Sequence, residues 1–569
     1  MQYSGARILI ETLIEQGVDT VFGYPGGAVL NIYDELYRHR DRIRHILVSH
    51  EQHAAHAADG FARSTGRVGV CIATSGPGAT NLVTGIAAAY MDSSPVVAIT
   101  GNVSNALLGK DSFQEVDIAG ITMPIVKHNW IVKDVRELAE VVREAFLVAR
   151  SGRPGPVLVD IPKDVTSALA DVSAASSPEG AERGRRLAER NARPSFDDGD
   201  IERALELIGA AKRPFIYAGG GVAISDAAGE LAAFVERVDA PVGLSLMAQG
   251  CFPRAHRLWT GMIGMHGTVA SNKAVQKADL LIAIGARFSD RVTSGVNTFA
   301  KNASTLHFDV DPAEINKNVR SAASVTGDIK KVLAAVLKGL PALEHGPWIE
   351  EVQGWKRESP RSHDVALHKK EGLHPRFIIE ETAGALGADA IVVTDVGQHQ
   401  MWTAQFYPFE KARRFITSGG LGAMGFGLGA ALGAKAANPE KPVALFTGDG
   451  SFRMNCAELG TLVAYGLPLL IVVFNNGVLG MVRQWQNLFY GKRFSETTLD
   501  RPPDFVRLAA AYGVAGARAD GAEGFLSALE AAKKELLAGR AYLIDALIDG
   551  DEMVYPMVPT GKPIEDQLL

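Results

Sequence analysis

The sequence predicts an α/β protein of three doubly wound parallel-sheet domains, and three observations carry that expectation. Short apolar runs alternate with helix-like stretches along most of the chain, as in parallel sheets covered on both faces. Two breaks in composition, at 171–198 and 346–372, read as linkers. At 569 residues the chain is too long for one core and suits three or more domains. The expected units are therefore 1–170, 199–345 and 373–569.

Composition narrows the function classes. A chain that is 47% hydrophobic and 21% charged is ordinary for a soluble α/β enzyme. A net charge of −6 without a basic stripe gives no electrostatic case for nucleic acid. No run approaches the ~20 apolar residues of a membrane span. Cys71, Cys251 and Cys456 lie far apart in no metal spacing, which suggests a reducing compartment, and Cys71 reads as a small core residue. The N-terminus enters an amphipathic helix pattern almost at once, with no signal or transit segment, so the expected location is cytoplasmic and the source of a bacterial type.

In the first unit, strands are expected at Thr20–Gly23, Arg44–Val48, Val68–Ala73, Val96–Thr100 and Val157–Ile161. Gly23-Tyr24-Pro25-Gly26-Gly27-Ala28 follows the first of these as a glycine-rich turn into a helix. Glu51 opens a helix after the second, where the helix dipole favours a carboxylate whatever its further role. Thr74–Asn81 follows the third; Gly101-Asn102-Val103 and then Asp111–Glu115, which includes Gln114, follow the fourth. Arg153 precedes the last strand and Lys163 follows it.

The second unit repeats the pattern, with strands expected at Arg213–Ala218, Ala240–Leu244, Leu280–Ile284 and Thr305–Val310. Gly219-Gly220-Gly221 follows a strand without completing a dinucleotide fingerprint. Asp309 and Asp311 sit at a strand end, where an acid can receive a ribose hydroxyl or belong to a solvated loop. The second linker carries Trp348 and Trp355.

The third unit holds the most informative stretch. Ala390–Asp395 leads into Val396-Gly397-Gln398-His399, and Thr417–Gly427 is rich in small residues that permit close backbone approach to a ligand. Pro442–Phe446 reads as a buried strand ending at Gly448-Asp449-Gly450-Ser451, and Leu467–Phe474 as another ending at Asn475-Asn476. Neighbouring parallel strands present ligands beyond their C-terminal ends. An acid and an amide there offer hard oxygens to a small divalent cation. Either motif alone would serve as a surface turn. Beyond them, Met481, Trp485 and Leu488 recur at helical spacing, which fits a core-facing stripe or a pocket wall.

With 24 residues between Gly448-Asp449-Gly450 and the Asn pair, this stretch resembles the signature of thiamine-diphosphate enzymes. The resemblance implies a Mg²⁺ ion held by Asp449, Asn476 and the Val478 carbonyl, and through it the cofactor's diphosphate. Gly397, Gln398, His399, Gly422, Gly448, Gly450, Ser451, Leu479, Gly480 and Met481 would line that cofactor, and Met424 would wedge it into a bent conformation. The first unit is similar to the pyrimidine-binding domain of the same family, which assigns Gly26 and Glu51 to the cofactor. A carboxylic acid on the aminopyrimidine ring stabilises its imino tautomer, and burial raises a carboxyl pKa enough to keep that proton available.

More narrowly, the chain resembles the catalytic subunit of acetohydroxyacid synthases over essentially its whole length. Flavin-binding segments of that family match at Gly264-Met265-His266, Gly285-Ala286-Arg287, Asp290-Arg291, Asp309-Val310, Leu246-Met247, Arg153 and Asp328, with Gly219, Gly220 and Gly221. One departure is Ser289-Asp290, where the family commonly has two acids. The resemblance implies thiamine diphosphate, Mg²⁺ and FAD as cofactors. It implies decarboxylation of pyruvate and ligation of the hydroxyethyl unit to a second 2-keto acid: pyruvate gives acetolactate, 2-ketobutyrate gives acetohydroxybutyrate, the first common step toward branched-chain amino acids. Arg291 would clamp the second substrate's carboxylate, Trp485 and Met481 would shape its pocket, and Gln114 and Lys163 would line the approach. It implies a homodimer or tetramer whose active site pairs the first domain of one subunit with the third of another, commonly with a separate regulatory subunit. The alternatives are the catabolic, flavin-free acetolactate synthase, another thiamine-diphosphate carboligase or oxidase, and, from a different class, a non-catalytic flavin-binding protein.

Overall fold

The computed structural model describes residues 2–171, 182, 186, 189, 196–359, 372–501 and 503–569. The stretch expected as the first linker thus lies largely outside the described residues. Three six-stranded sheets, parallel throughout, dominate the rest.

The first sheet is built from β2 (Thr20–Gly23), β3 (Arg44–Leu47), β4 (Gly69–Ala73), β5 (Val96–Asn102), β6 (Asn129–Ile131) and β7 (Val157–Pro162), in the order β3-β2-β4-β5-β7-β6. A short antiparallel pair, β1 (Gln2–Ser4) with β8 (Leu169–Asp171), ties the two ends of this region together. The second sheet takes β9 (Pro214–Ala218), β10 (Val242–Leu244), β11 (Trp259–Met262), β12 (Leu280–Ile284), β13 (Ser304–Asp309) and β14 (Ala323–Thr326), in the order β11-β10-β9-β12-β13-β14. That is the doubly wound dinucleotide-binding order, with its reversal point between β9 and β12.

The third sheet contains β15 (Ile391–Thr394), β16 (Phe415–Ile416), β17 (Val443–Gly448), β18 (Leu470–Asn475), β19 (Ala515–Ala519) and β20 (Tyr542–Leu547), in the order β16-β15-β17-β18-β20-β19. Counted from each domain's first strand, the first and third sheets share one order, 2-1-3-4-6-5. Their central strands are apolar and buried along their whole length because helices cover both faces.

The helix Glu51–Thr65 of the first domain packs along the helix Gly427–Ala437 of the third. Both are rich in alanine and glycine and buried nearly all round. A methyl group on Gly60 would collide with the Ala430 carbonyl, and one on Gly433 with the Ala57 carbonyl. The backbones therefore touch, and one apolar core runs unbroken from the first sheet into the third.

The stretch expected as the second linker is helical through its first half, Gly346–Glu358. Trp348 is buried there, donates its indole N–H to the Pro214 carbonyl (2.9 Å) and meets Trp355 edge-on at 5.8 Å. Two tryptophans seven residues apart share a helix face, and that face closes the central domain's core. The C-terminal tail returns to the same domain: Ile564 joins that core, and the Val558 N–H donates to the Met265 carbonyl (2.8 Å). Among the described residues no helix is long and apolar enough to cross a membrane.

Candidate active site

A cleft of about 730 Å³ opens where the three domains meet, and nearly every site residue expected in the second and third units lines it. Its third-domain wall is the C-terminal edge of β15, β17 and β18. Asp449 begins a short helix directly after β17. Its Oδ1 accepts the Gly450 N–H and its Oδ2 the Gly477 N–H, both at 2.9 Å, so one carboxylate ties the ends of β17 and β18. Burial pushes its pKa up to about 6, the behaviour of an acid withdrawn from water with no cation beside it.

Asn476 stands opposite, its Oδ1 accepting the Val478 N–H (3.2 Å) and its Nδ2 donating to Gln398 Oε1 (3.4 Å). Gln398 is fixed in turn by donating to Gln484 Oε1 (3.0 Å) and the Glu552 carbonyl (2.7 Å). Burial lowers His399 to about 3, so the ring stays neutral, and its Nε2 has no hydrogen-bond partner among the described residues. Gly397, Gly422, Gly448, Gly450, Ser451, Leu479 and Gly480 complete this wall, with Met424 beside Gly450.

These features fit a Mg²⁺ diphosphate. Among the described residues no cluster of three or more His, Cys, Asp or Glu side chains could hold a metal alone. One carboxylate, one amide and one carbonyl suffice for a hard cation only when an anionic ligand supplies further oxygens. A buried histidine nitrogen without a partner is a ready contact for such an anion.

The central domain supplies the opposite wall at its topological reversal point, where open α/β sheets take their ligands. The Gly221 N–H donates to the Gly285 carbonyl (3.0 Å), and a methyl on Gly221 would lie 2.7 Å from the Gly285 Cα. The turns after β9 and β12 can approach this closely only as glycines, which leaves backbone open to a ligand. Gly219, Gly220, Leu246, Met247, Met265, Ala286, Arg287, Asp290, Arg291 and Val310 line the same wall. The Arg291 side chain is 62% exposed and lies 3.7 Å from Asp290. Burial pushes Asp309, at the end of β13, up to about 6, and holds His266 neutral by lowering it to about 4. This half fits a dinucleotide.

Two expected flavin residues stand behind the wall. Gly264 is held through Asn272 Oδ1 (3.0 Å), and Asp328 caps the helix Ile329–Gly339, whose first residue reaches the cleft. Arg153 bridges from the first domain, donating from Nε to Ser93 Oγ and from Nη1 to Glu314 Oε1, both at 2.7 Å. Met481 and Trp485 lie on the helix Gly480–Phe489, of which only Gln484 is buried. Both residues line the cleft, and Met481 also packs against the third domain's core.

Gly26, Glu51, Gln114 and Lys163 are elsewhere. Glu51 is 8% exposed and its Oε2 accepts the Asn81 Nδ2–H at 2.9 Å. Gly26 packs on Thr74, Gln114 on Gly76, and Lys163 follows β7, so all four gather at the C-terminal edge of the first sheet. The residues that domain gives to the cleft, Met91, Asp92, Ser93, Gly152, Arg153 and Pro154, precede β5 and β7 at the opposite edge. The seven residues of β5 separate the two groups by roughly 20 Å.

The cleft also contains residues that sequence reading missed. Asp92 Oδ2 accepts from Arg63 Nη2 and from the Gly419 N–H, both at 3.0 Å, and Tyr217 lines the central wall. An acid in the turn entering a strand was the available signal for Asp92; Tyr217 looks like any buried strand residue.

A buried Asp449 and a half-buried Asn476 at adjacent strand ends, facing a glycine-walled reversal point, define a thiamine-diphosphate enzyme with a dinucleotide-type central domain. Family models of thiamine pyrophosphate enzymes match in the same arrangement: the N-terminal TPP binding domain over residues 3–121, the central domain over 201–336 and the C-terminal TPP binding domain over 395–546. The chain is 48% identical to the acetolactate synthase large subunit of Corynebacterium glutamicum, covering 99% of this chain and 90% of that protein. It is 44% identical to the acetolactate synthase isozyme 3 large subunit of Escherichia coli (100% and 98% covered) and 47% identical to a probable acetolactate synthase large subunit of Methanocaldococcus jannaschii (98% and 94%). The chain belongs to the family of acetolactate synthase large subunits.

Proposed function

We propose that the protein decarboxylates pyruvate and joins the resulting two-carbon unit to a second 2-keto acid, giving acetolactate from pyruvate and acetohydroxybutyrate from 2-ketobutyrate. The observation that carries this reading is the single cleft that gathers Asp449, Asn476, Gln398 and His399 with Arg291 and Trp485. Thiamine diphosphate supplies the electron sink for the carbon that loses CO₂. The chain's own residues do the rest.

Asp449, Asn476 and the Val478 carbonyl hold Mg²⁺, while neutral His399 and Gln398 meet the diphosphate. Met424, beside Gly450, would press against the bound cofactor. Glu51, held by Asn81, would meet the pyrimidine ring. Arg291 offers a bidentate fork to the second substrate's carboxylate. Trp485 and Met481 give that substrate's alkyl end an apolar wall, and Gln114 and Lys163 line the approach. The central domain takes FAD across its reversal point with Asp309 at the ribose end; the overall reaction is redox-neutral, so the flavin's role there is structural.

Glu51 and the cleft lie on opposite edges of the first sheet, and this supports a pairing in which Glu51 of one copy serves the cleft of another. The minimal active unit is then a homodimer, or a tetramer of two such pairs, with a small regulatory subunit as a further partner. A turnover assay with pyruvate, Mg²⁺, thiamine diphosphate and FAD, with and without 2-ketobutyrate, tests the reading by product mass. Acetolactate that gives way to acetohydroxybutyrate when 2-ketobutyrate is added supports it. Acetolactate without that shift points to a catabolic enzyme, and no product overturns the substrate assignment.

A further inference from the structure

We propose that Asp395, which does not line the cleft, is the positioning residue that holds three diphosphate-side segments in register. The inference rests on the thiamine-diphosphate reading of the cleft. Asp395 directly follows β15 and is fully buried. Its Oδ1 accepts the N–H groups of Val396 (2.8 Å) and Gly425 (2.9 Å). Its Oδ2 accepts the Gly427 N–H (2.9 Å) and the Asn455 Nδ2–H (3.1 Å). One carboxylate thus joins three segments. The first is the turn that presents Gln398 and His399. The second is the loop that carries Met424, gripped one and three residues beyond it. The third is the segment that begins at Asp449.

A carboxylate offers about four acceptor sites, and the four donors fill them, so Asp395 has none left for a ligand. The residue type follows from that count. An asparagine would keep one acceptor oxygen and turn an NH₂ toward backbone N–H groups, which are donors themselves. The far end of the same loop is held separately, by Asp92 at Gly419. Between two fixed ends, Met424 can shift only if the Gly425 bond to Asp395 breaks.

The test uses the full-length protein carrying Asp395→Asn, with Asn455→Ala as a milder variant that removes one of the four donors. Three quantities are measured: amide exchange of the cofactor-free protein, thiamine diphosphate affinity at saturating Mg²⁺, and kcat and KM for pyruvate. Exchange should quicken at 396–399 and 423–427 and not elsewhere. Thiamine diphosphate affinity should weaken by about 10- to 100-fold, the usual effect of losing a residue that orients ligands. kcat should fall while KM for pyruvate holds, and Asn455→Ala should show the same pattern at smaller amplitude. Should Asp395→Asn not fold, the Asn455→Ala pattern decides alone. Exchange that rises across the whole domain with cofactor affinity unchanged overturns the proposal, as does loop exchange unaltered in both variants. Asp449→Ala is the control for the site itself. If it binds thiamine diphosphate as tightly as the parent, the cleft reading fails; if it loses binding while Asp395→Asn does not, only the present inference fails.

Discussion

Mixing two inactive variants gives the sharpest test of where the catalytic centre lies. Glu51→Gln disables the pyrimidine-side group, and Asp449→Ala disables the diphosphate-side cleft. If the centre pairs Glu51 of one chain with Asp449 of its partner, each variant alone is dead at both sites of its dimer. A dimer of one variant with the other concentrates both lesions in one site and leaves the second intact. Random reassociation of equal amounts makes half the dimers mixed, each with one of two sites working, so turnover should recover to about one quarter of the parent value. The assay is acetolactate formation after dissociating and refolding the mixed subunits, with each variant refolded alone as the baseline. Recovery requires Glu51 and its own chain's cleft to serve different sites, as the roughly 20 Å between the edges of the first sheet implies. A mixture as inactive as its components, under conditions where mixed dimers are detected by mass, would falsify the shared-site argument.

Three further expectations concern single residues. Trp485→Leu should erode the preference for 2-ketobutyrate over pyruvate, because one methylene against an apolar wall contributes about 1–3 kcal/mol, or ~10- to 150-fold; competing the two acceptors and weighing the products measures it. Asp449, pushed up to about 6 by burial, is best tolerated protonated in the metal-free protein. That contribution to stability is whole below the unfolded value of about 4 and is lost as pH rises through about 6. Mg²⁺ should therefore raise the unfolding midpoint more at about pH 8 than at about pH 5, and Asp449→Asn should remove the difference. Arg63 is buried between Asp59 (2.7 Å) and Asp92 (3.0 Å) and donates to the Thr417 carbonyl (2.6 Å). Arg63→Met should cost about 3–5 kcal/mol by stranding two buried acids. Burial already raises Asp92, and without the Arg63 charge its protonation is favoured further in the fold; the deficit should therefore shrink as pH falls, and an Arg63→Met deficit independent of pH would contradict that account.

How much of this was legible in the sequence depended on whether a residue's job leaves a pattern. The strand ends of the second and third units were legible because buried parallel strands read as apolar runs and their ligand-facing ends as glycines with an acid or amide. Among the edge strands β3 was legible, whereas β6, β16 and β19 are short or broken by polar residues and were not. β20 is central yet was missed because Asp545 interrupts it, an acid buried only because Asn475 and Arg518 each donate to it at 2.9 Å. Trp348 and Trp355 were read as part of a linker because charged residues surround them. Asp395 and Asp92 act on backbone amides from distant segments, and such work has no period and no spacing. That Glu51 and Asp449 sit at strand ends was legible; that those ends face away from each other was not, since strand ends do not reveal how two sheets are placed.

The contact between the helices Glu51–Thr65 and Gly427–Ala437 has the form of a symmetry operation. Gly60 meets the backbone of Ala430 and Gly433 meets the backbone of Ala57, and one constant offset along the chain turns the first pair into the second. Each helix follows the second strand of its sheet, and the two sheets share a strand order. The first and third domains therefore meet as the halves of an isologous dimer do, inside one polypeptide. The same offset lays Glu51 over Met424. A single chain carries the twofold axis internally, and its two quasi-equivalent halves have diverged, one keeping an acid and the other a thioether at the matching position.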